Sequence, residues 1–74
     1  MDEVVFRLDI SENEYLRFYR GLAQNVVVTA YDGRRIQFPA ANLRRFVTRT
    51  GVRGEFSLKF AAHRKLVDLR RIGP

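Results

Sequence analysis

Polar and apolar residues alternate over the first ten positions, with Val4, Phe6, Leu8 and Ile10 separated by Val5, Arg7 and Asp9. A period of two belongs to a strand with one buried face, and it predicts a strand over residues 3–10. The period then lengthens. Ser11 and Glu14 have the spacing of a capping box, in which the hydroxyl takes an orphan amide and the carboxylate reaches back to the Ser11 amide. Tyr15, Phe18, Tyr19 and Leu22 follow at spacings of three and four, while Glu14, Arg17 and Arg20 point outward and Gly21 suits the C-terminal cap. A helix this short does not persist alone, so its aromatic stripe is expected to dock on a sheet.

Residues 26–38 read as a hairpin. Asp32-Gly33 signals a two-residue type I′ turn, which pairs Tyr31 with Arg34, Thr29 with Ile36 and Val27 with Phe38. Val27, Ile36 and Phe38 then form the core face. Val26, Val28 and Ala30 fall on the opposite face beside Arg35 and Gln37, so that face is only half polar. It needs a cover, either another part of a curled sheet or a second copy of the chain, and it is the candidate interaction face.

Pro39 removes a ladder donor and ends the strand, and Leu43, Phe46 and Val47 predict one or two helical turns with Arg44 and Arg45 outward. Gly51 and Gly54 read as turn residues. Phe56, Leu58 and Phe60 alternate with Glu55, Ser57 and Lys59, and a four-residue loop over 61–64 sets Phe60 against Lys65, Leu58 against Val67, Phe56 against Leu69 and Glu55 against Arg70. The order is strand, helix, two strands, short helix, two strands. It specifies an α+β fold in one domain spanning 1–74: a mostly antiparallel five-stranded sheet, open or curled into a small barrel, with one helix packed on it.

Composition sharpens this. Seventy-four residues without cysteine have no disulfide or thiolate site to lean on, so the six Phe, three Tyr and the aliphatics must supply the core. A domain of this size buries only about 60% of the surface its unfolded chain exposes. The N-terminal run MDEVVFRLDI has no basic n-region or long apolar stretch, from which a cytoplasmic chain with no membrane role is expected.

Charge is unevenly spread. Residues 1–31 carry Arg7, Arg17 and Arg20 against five carboxylates, whereas residues 32–74 carry eleven of the fourteen Lys and Arg against Asp32, Glu55 and Asp68. The C-terminal part therefore holds the positive field and raises the case for an anionic partner. Consecutive strand residues face opposite sides, so neither Arg34-Arg35 nor Arg70-Arg71 can clamp one surface as a pair. A patch of Arg35, Arg44, Arg45, Arg49 and Arg53 is the candidate anion or nucleic-acid contact, provided folding unites it. Arg suits phosphate through its planar fork. Most aromatics belong to the core pattern, which leaves Tyr31 as the one free to stack on a base.

Little else carries chemistry. His63 is the one histidine, placed in the predicted loop without a second ligand, and Ser11 and Ser57 are explained as a cap and an outward strand residue. The acidic residues fit a strand edge and a helix first turn. No catalysis, cofactor, metal or small-molecule substrate is expected.

The run YLRFYRGLAQNVVVTAYDGRRIQFPAANLRRFVTRTGVRGEFSLKF, followed by KLVDLRRI, resembles the bacterial domain-of-unknown-function 2835 family over nearly the whole chain. Its distinctive pieces are Tyr19-Arg20-Gly21, Asp32-Gly33-Arg34, Gln37-Phe38-Pro39-Ala40, Leu43-Arg44 with Phe46, and Gly51 and Gly54 ahead of Phe56. The resemblance implies a cytoplasmic bacterial protein and implies no activity. The residues point to a non-catalytic protein-interaction or structural module, working with a protein partner or as a homodimer. The alternative is a weak, sequence-tolerant nucleic-acid binder that uses the arginine-rich C-terminal part.

Overall fold

A computed structural model describes residues 2–21, 24–61 and 66–74. In chain order it contains β1 (Asp2–Ile10), α1 (Glu12–Tyr19), β2 (Asn25–Thr29), β3 (Arg35–Pro39), a 3₁₀ helix (Ala40–Phe46), β4 (Val52–Phe60) and β5 (Leu66–Gly73). The first two elements follow from local pattern. Val4, Phe6 and Leu8 turn inward along β1, and Glu14 N–H donates to Ser11 Oγ at 3.2 Å while Ser11 N–H donates to Glu14 Oε1 at 3.3 Å, closing the capping box.

The strands form two antiparallel sheets, β1-β4-β5 and β2-β3, and not one five-stranded sheet or a closed barrel. β1 and β4 pair along their whole length, with Phe6 opposite Phe56 and Val4 opposite Leu58. The hairpin packs across this sheet. Its turn end is fastened to β1 by Tyr31 N–H, which donates to the Val5 carbonyl at 2.9 Å. Side chains do the rest: the Phe6 ring lies 5.9 Å from Phe38 and 6.2 Å from Phe56, and Phe46 meets Phe56 edge-on at 5.1 Å. Each such aromatic pair adds about 0.5–1.5 kcal/mol beyond area burial, a substantial share in so small a core. The 3₁₀ helix brings Leu43, fully buried, and Phe46 into it, and Asn42 Nδ2 donates to the Pro39 carbonyl at 3.1 Å to shape its start.

The first hairpin has a different register from the expected one. Val26 lies opposite Phe38, Val28 opposite Ile36 and Thr29 opposite Arg35, and Ala30 N–H donates to the Arg34 carbonyl. The loop therefore has three residues, not two. Gly33 N–H donates to the Ala30 carbonyl at 2.9 Å and Gly33 takes positive φ (92°), the arrangement of a type I turn closed by a glycine bulge. The Asp32 carboxylate accepts Arg34 N–H at 3.0 Å and favours this geometry. One residue of slip flips every side chain. Val26, Val28 and Ala30 are accordingly core residues at 5%, 8% and 4% exposure, and Val27, assigned to the core from the sequence, is 52% exposed.

The second hairpin also departs from expectation. Phe60 lies opposite Leu66, Leu58 opposite Leu69 and Phe56 opposite Arg71, with irregularities between Lys59 and Phe60 and between Glu55 and Phe56. The extra residues are Val67 and Ile72, and both stand exposed. The Glu55–Arg70 pair does not form: Glu55 lies opposite Gly73 and its carboxylate accepts the Tyr31 hydroxyl at 2.8 Å. Gly54 lies inside β4 and not in a turn. Ser57, expected to face outward, is buried and its hydroxyl donates to the Glu3 carboxylate. On α1, Tyr15 is buried and Phe18 packs partly against the core, but Tyr19 is 71% exposed. Leu22, His63 and most of the 61–64 loop with Lys65 lie outside the described residues. No helix among the described residues is long and apolar enough to cross a membrane.

Candidate functional site

The five arginines of the candidate patch arise on four elements. Arg35 sits on β3, Arg44 and Arg45 on the 3₁₀ helix, Arg49 in the turn before β4, and Arg53 on β4. Folding does not gather them into one cleft. Arg53 lies opposite Asp9 and binds it at 2.9 Å. Arg45 donates to the Leu69 carbonyl, stands 4.9 Å over the Phe46 ring and lies 3.9 Å from Asp68, so it braces the 3₁₀ helix against β5. Arg44 and Arg45 line a groove along Leu66–Leu69, whereas Arg35 lines a separate cleft with Arg34. Arg35, Arg44 and Arg49 have no ion-pair partner among the described residues.

Arg34 is the best-connected basic residue, and sequence reasoning passed over it as part of the turn. Its guanidinium reaches Asp2 at 2.6 Å, Asp32 at 2.8 Å and the Glu3 carbonyl at 3.3 Å, tying the hairpin to the start of β1. The Arg34 hydrogen bond holds the Asp2 carboxyl below the usual carboxylate range, helped by the Glu3 amide. Asp32 is lowered too, first by the Arg34 amide and then by its side chain, and Arg34 itself is raised by the two carboxylates. The Tyr31 hydroxyl is raised by donating to Glu55, so the aromatic expected to be free for stacking is committed at its polar end.

The interaction face proposed for Val26, Val28 and Ala30 does not exist as a surface, because the chain's own three-stranded sheet covers it. The structure opens a different one. A cleft of about 700 Å³ lies between β3 and the β4–β5 end of the larger sheet, floored by Ile36, Phe38, Leu58, Phe60 and Leu66 and flanked by Asp2, Arg34 and Arg35. Among the described residues β3 pairs with β2 alone, so the cleft runs beside an unpaired strand edge. One signal in the sequence marks it: Pro39 closes β3, and proline within a sheet is confined to edges.

A second surface lies around the end of α1. Tyr19, Gln24, Ala41 and Arg44 share a shallow groove of about 240 Å³, which brings an exposed ring and a guanidinium with no ion pair among the described residues to one surface. Among the described residues no cluster of three or more His, Cys, Asp or Glu could hold a metal ion.

The family model described as protein of unknown function (DUF2835) matches residues 2–72 of the chain, and the chain belongs to that family. No curated protein and no solved structure matches it.

Proposed function

We propose that this member of the DUF2835 family is a non-catalytic binding module whose partner is a polypeptide. The observation that carries the reading is the cleft beside β3, where half-buried Ile36, Phe60 and Leu66 meet a strand edge that has no pairing strand among the described residues. Such edges are pairing templates that proteins ordinarily cover, and apolar clefts beside them are where added strands gain side-chain specificity. The non-catalytic part rests on the hydroxyls. Ser11 is engaged as a helix cap and Ser57 is 5% exposed against Glu3, out of reach of a substrate. Affinity capture with the wild-type chain and with Gln37→Pro tests the reading. At least one polypeptide retained by the wild type should be lost from the variant and kept by Arg49→Ala; identical sets from all three chains refute the reading.

A nucleic-acid reading keeps one specific support, the exposed Tyr19 beside Arg44, since stacking on an aromatic next to a guanidinium is how sequence-tolerant single-strand binders work. It predicts affinity for labelled single-stranded RNA that falls steeply with salt and is weakened by Tyr19→Ala and by Arg44→Ala. Absence of binding at low salt removes it.

A further inference from the structure

We infer that the outer edge of β3 receives an extended, acidic polypeptide segment as an added strand, an inference that rests on the binding-module reading. The hydrogen-bond phase of the hairpin fixes what this edge offers. Ala30 N–H donates to the Arg34 carbonyl at 2.8 Å at one end, and Ala40 N–H donates to the Gln24 carbonyl at 2.9 Å at the other. Bonded pairs alternate in an antiparallel ladder, so Arg34, Ile36, Phe38 and Ala40 direct their backbone groups at β2. Arg35 and Gln37 direct theirs outward. Pro39 falls in the same outward phase, which is where a residue without N–H costs the ladder nothing. The edge thus presents alternating donors and acceptors over five residues, roughly 17 Å, and an extended chain is the conformation that satisfies them.

The side chains define the guest. A strand in this place points alternate residues into the cleft, over Ile36, Phe60 and Leu66, and these positions call for apolar groups. Its other residues stand on the outer face beside Arg35 and Gln37, both exposed. Arg34 is already neutralised by Asp2 and Asp32, but Arg35 has no carboxylate in ion-pair range among the described residues. With a chain charge of +6, the outer positions call for Glu or Asp. The same charge argues against a second copy as the guest, because symmetric β3–β3 pairing brings the Arg34-Arg35 segments of two +6 chains into one short stretch.

The probes are two heptapeptides, one alternating Glu with Val and one alternating Lys with Val, titrated into the full-length ¹⁵N-labelled chain. The acidic peptide should shift the Arg35 and Gln37 amides and slow their hydrogen exchange, and the basic peptide should not. Arg35→Glu should weaken the acidic peptide roughly three- to thirtyfold and turn the preference toward the basic one. Gln37→Pro removes an outward N–H without touching the β2 ladder and should abolish both effects. Equal responses at β3 to the two peptides overturn the acidic assignment while leaving the cleft a docking surface. No response at β3 to either overturns the binding-module reading as well. A dimer in sedimentation that Gln37→Pro dissociates also overturns the inference, because the guest is then a second copy.

Discussion

Replacing Gly51 by Ala should be among the most damaging one-carbon changes available to this chain. Gly51 closes the turn before β4, where Thr48 N–H donates to its carbonyl at 2.8 Å, and it holds φ at 108°. An added Cβ would sit 1.9 Å from the Ile10 carbonyl oxygen, 2.7 Å from the Ser11 carbonyl carbon and 2.9 Å from the Glu12 nitrogen. All three are backbone atoms of the β1–α1 corner. They cannot withdraw without opening the Ile10–Val52 pair or the Ser11 cap. Backbone strain at such a φ costs about 1–3 kcal/mol, and overpacking against a fixed wall about 1–3 kcal/mol more. The sum rivals the roughly 4–11 kcal/mol that a chain of this length has in total. Gly33→Ala is the control, because Gly33 also has positive φ (92°) but nothing within 4 Å of the added atom, so it reports the strain alone. Urea unfolding should be followed by far-ultraviolet circular dichroism, since the chain has no Trp. With a slope of about 1 kcal/mol per molar for a domain this small, the Gly51 variant should melt about 1–3 M urea below the Gly33 variant. Equal midpoints for the two refute the close approach of the turn to the β1–α1 corner.

The hairpin register makes a paired prediction: Val27→Asp should change stability by less than about 0.5 kcal/mol, while Val28→Asp, at an 8% exposed site, should cost at least about 3 kcal/mol. The opposite ranking in the same urea assay would restore the two-residue turn. Ser11→Ala removes the acceptor of the capping box and should cost about 0.5–2 kcal/mol, with a loss of helical ellipticity on warming before the main transition. Asp2 should titrate by carboxyl NMR below the usual carboxylate range, and Arg34→Ala should return it there. A folded value below the unfolded one means that the contact's stabilisation is complete above the usual range and is lost as pH falls through the lower folded value. Arg34→Lys keeps the charge but not the three-way fork, so it should also raise the Asp2 midpoint; a midpoint equal to wild type refutes the fork as the cause.

What the sequence made legible was local. The strand over β1, the Ser11–Glu14 cap, the two hairpins and the helical turn after Pro39 are each written in a period or a short motif, and each formed. Registers were not legible, and the reason is visible in residues 26–28. Three consecutive valines satisfy either face, so alternation cannot choose between them, and Asp32-Gly33 fits a two-residue loop as well as a three-residue one. The choice fell to the Asp32 carboxylate on the Arg34 amide and to the packing of Val26, Val28 and Phe38 against Phe6 and its neighbours. β5 hid its register in the same way, because Val67 and Ile72 look like core positions and are the residues the irregularities push outward. Tyr19 misled for a related reason, lying on the predicted stripe but at the last turn, where the helix overhangs its support.

The arginines invert the usual inference from net charge. Arg7 donates to the Pro74 carbonyl at 3.0 Å, Arg34 to that of Glu3, Arg45 to that of Leu69 and Arg71 to that of Arg53 at 3.1 Å. Four guanidinium groups thus satisfy backbone oxygens far away in sequence, at strand ends and edges where a small chain without disulfides has few other ties. Lysine could not do this as well, since its single ammonium lacks the fixed fork with which Arg34 spans two carboxylates and a carbonyl. A basic composition is therefore partly a structural fact here, and counting charges overstates what is offered to a partner. Among the described residues, the cations left without an ion pair or a distant carbonyl are spread over several elements: Arg17 and Arg20 along and just past α1, Arg35 at the β3 edge, Arg44 beside Tyr19, Arg49 in its turn and Lys59 on β4. A duplex or a membrane needs a broad field, whereas one strand with one or two acidic side chains needs only Arg35 and an open edge. That difference in scale favours the β3 cleft over the total charge as the feature that selects a partner.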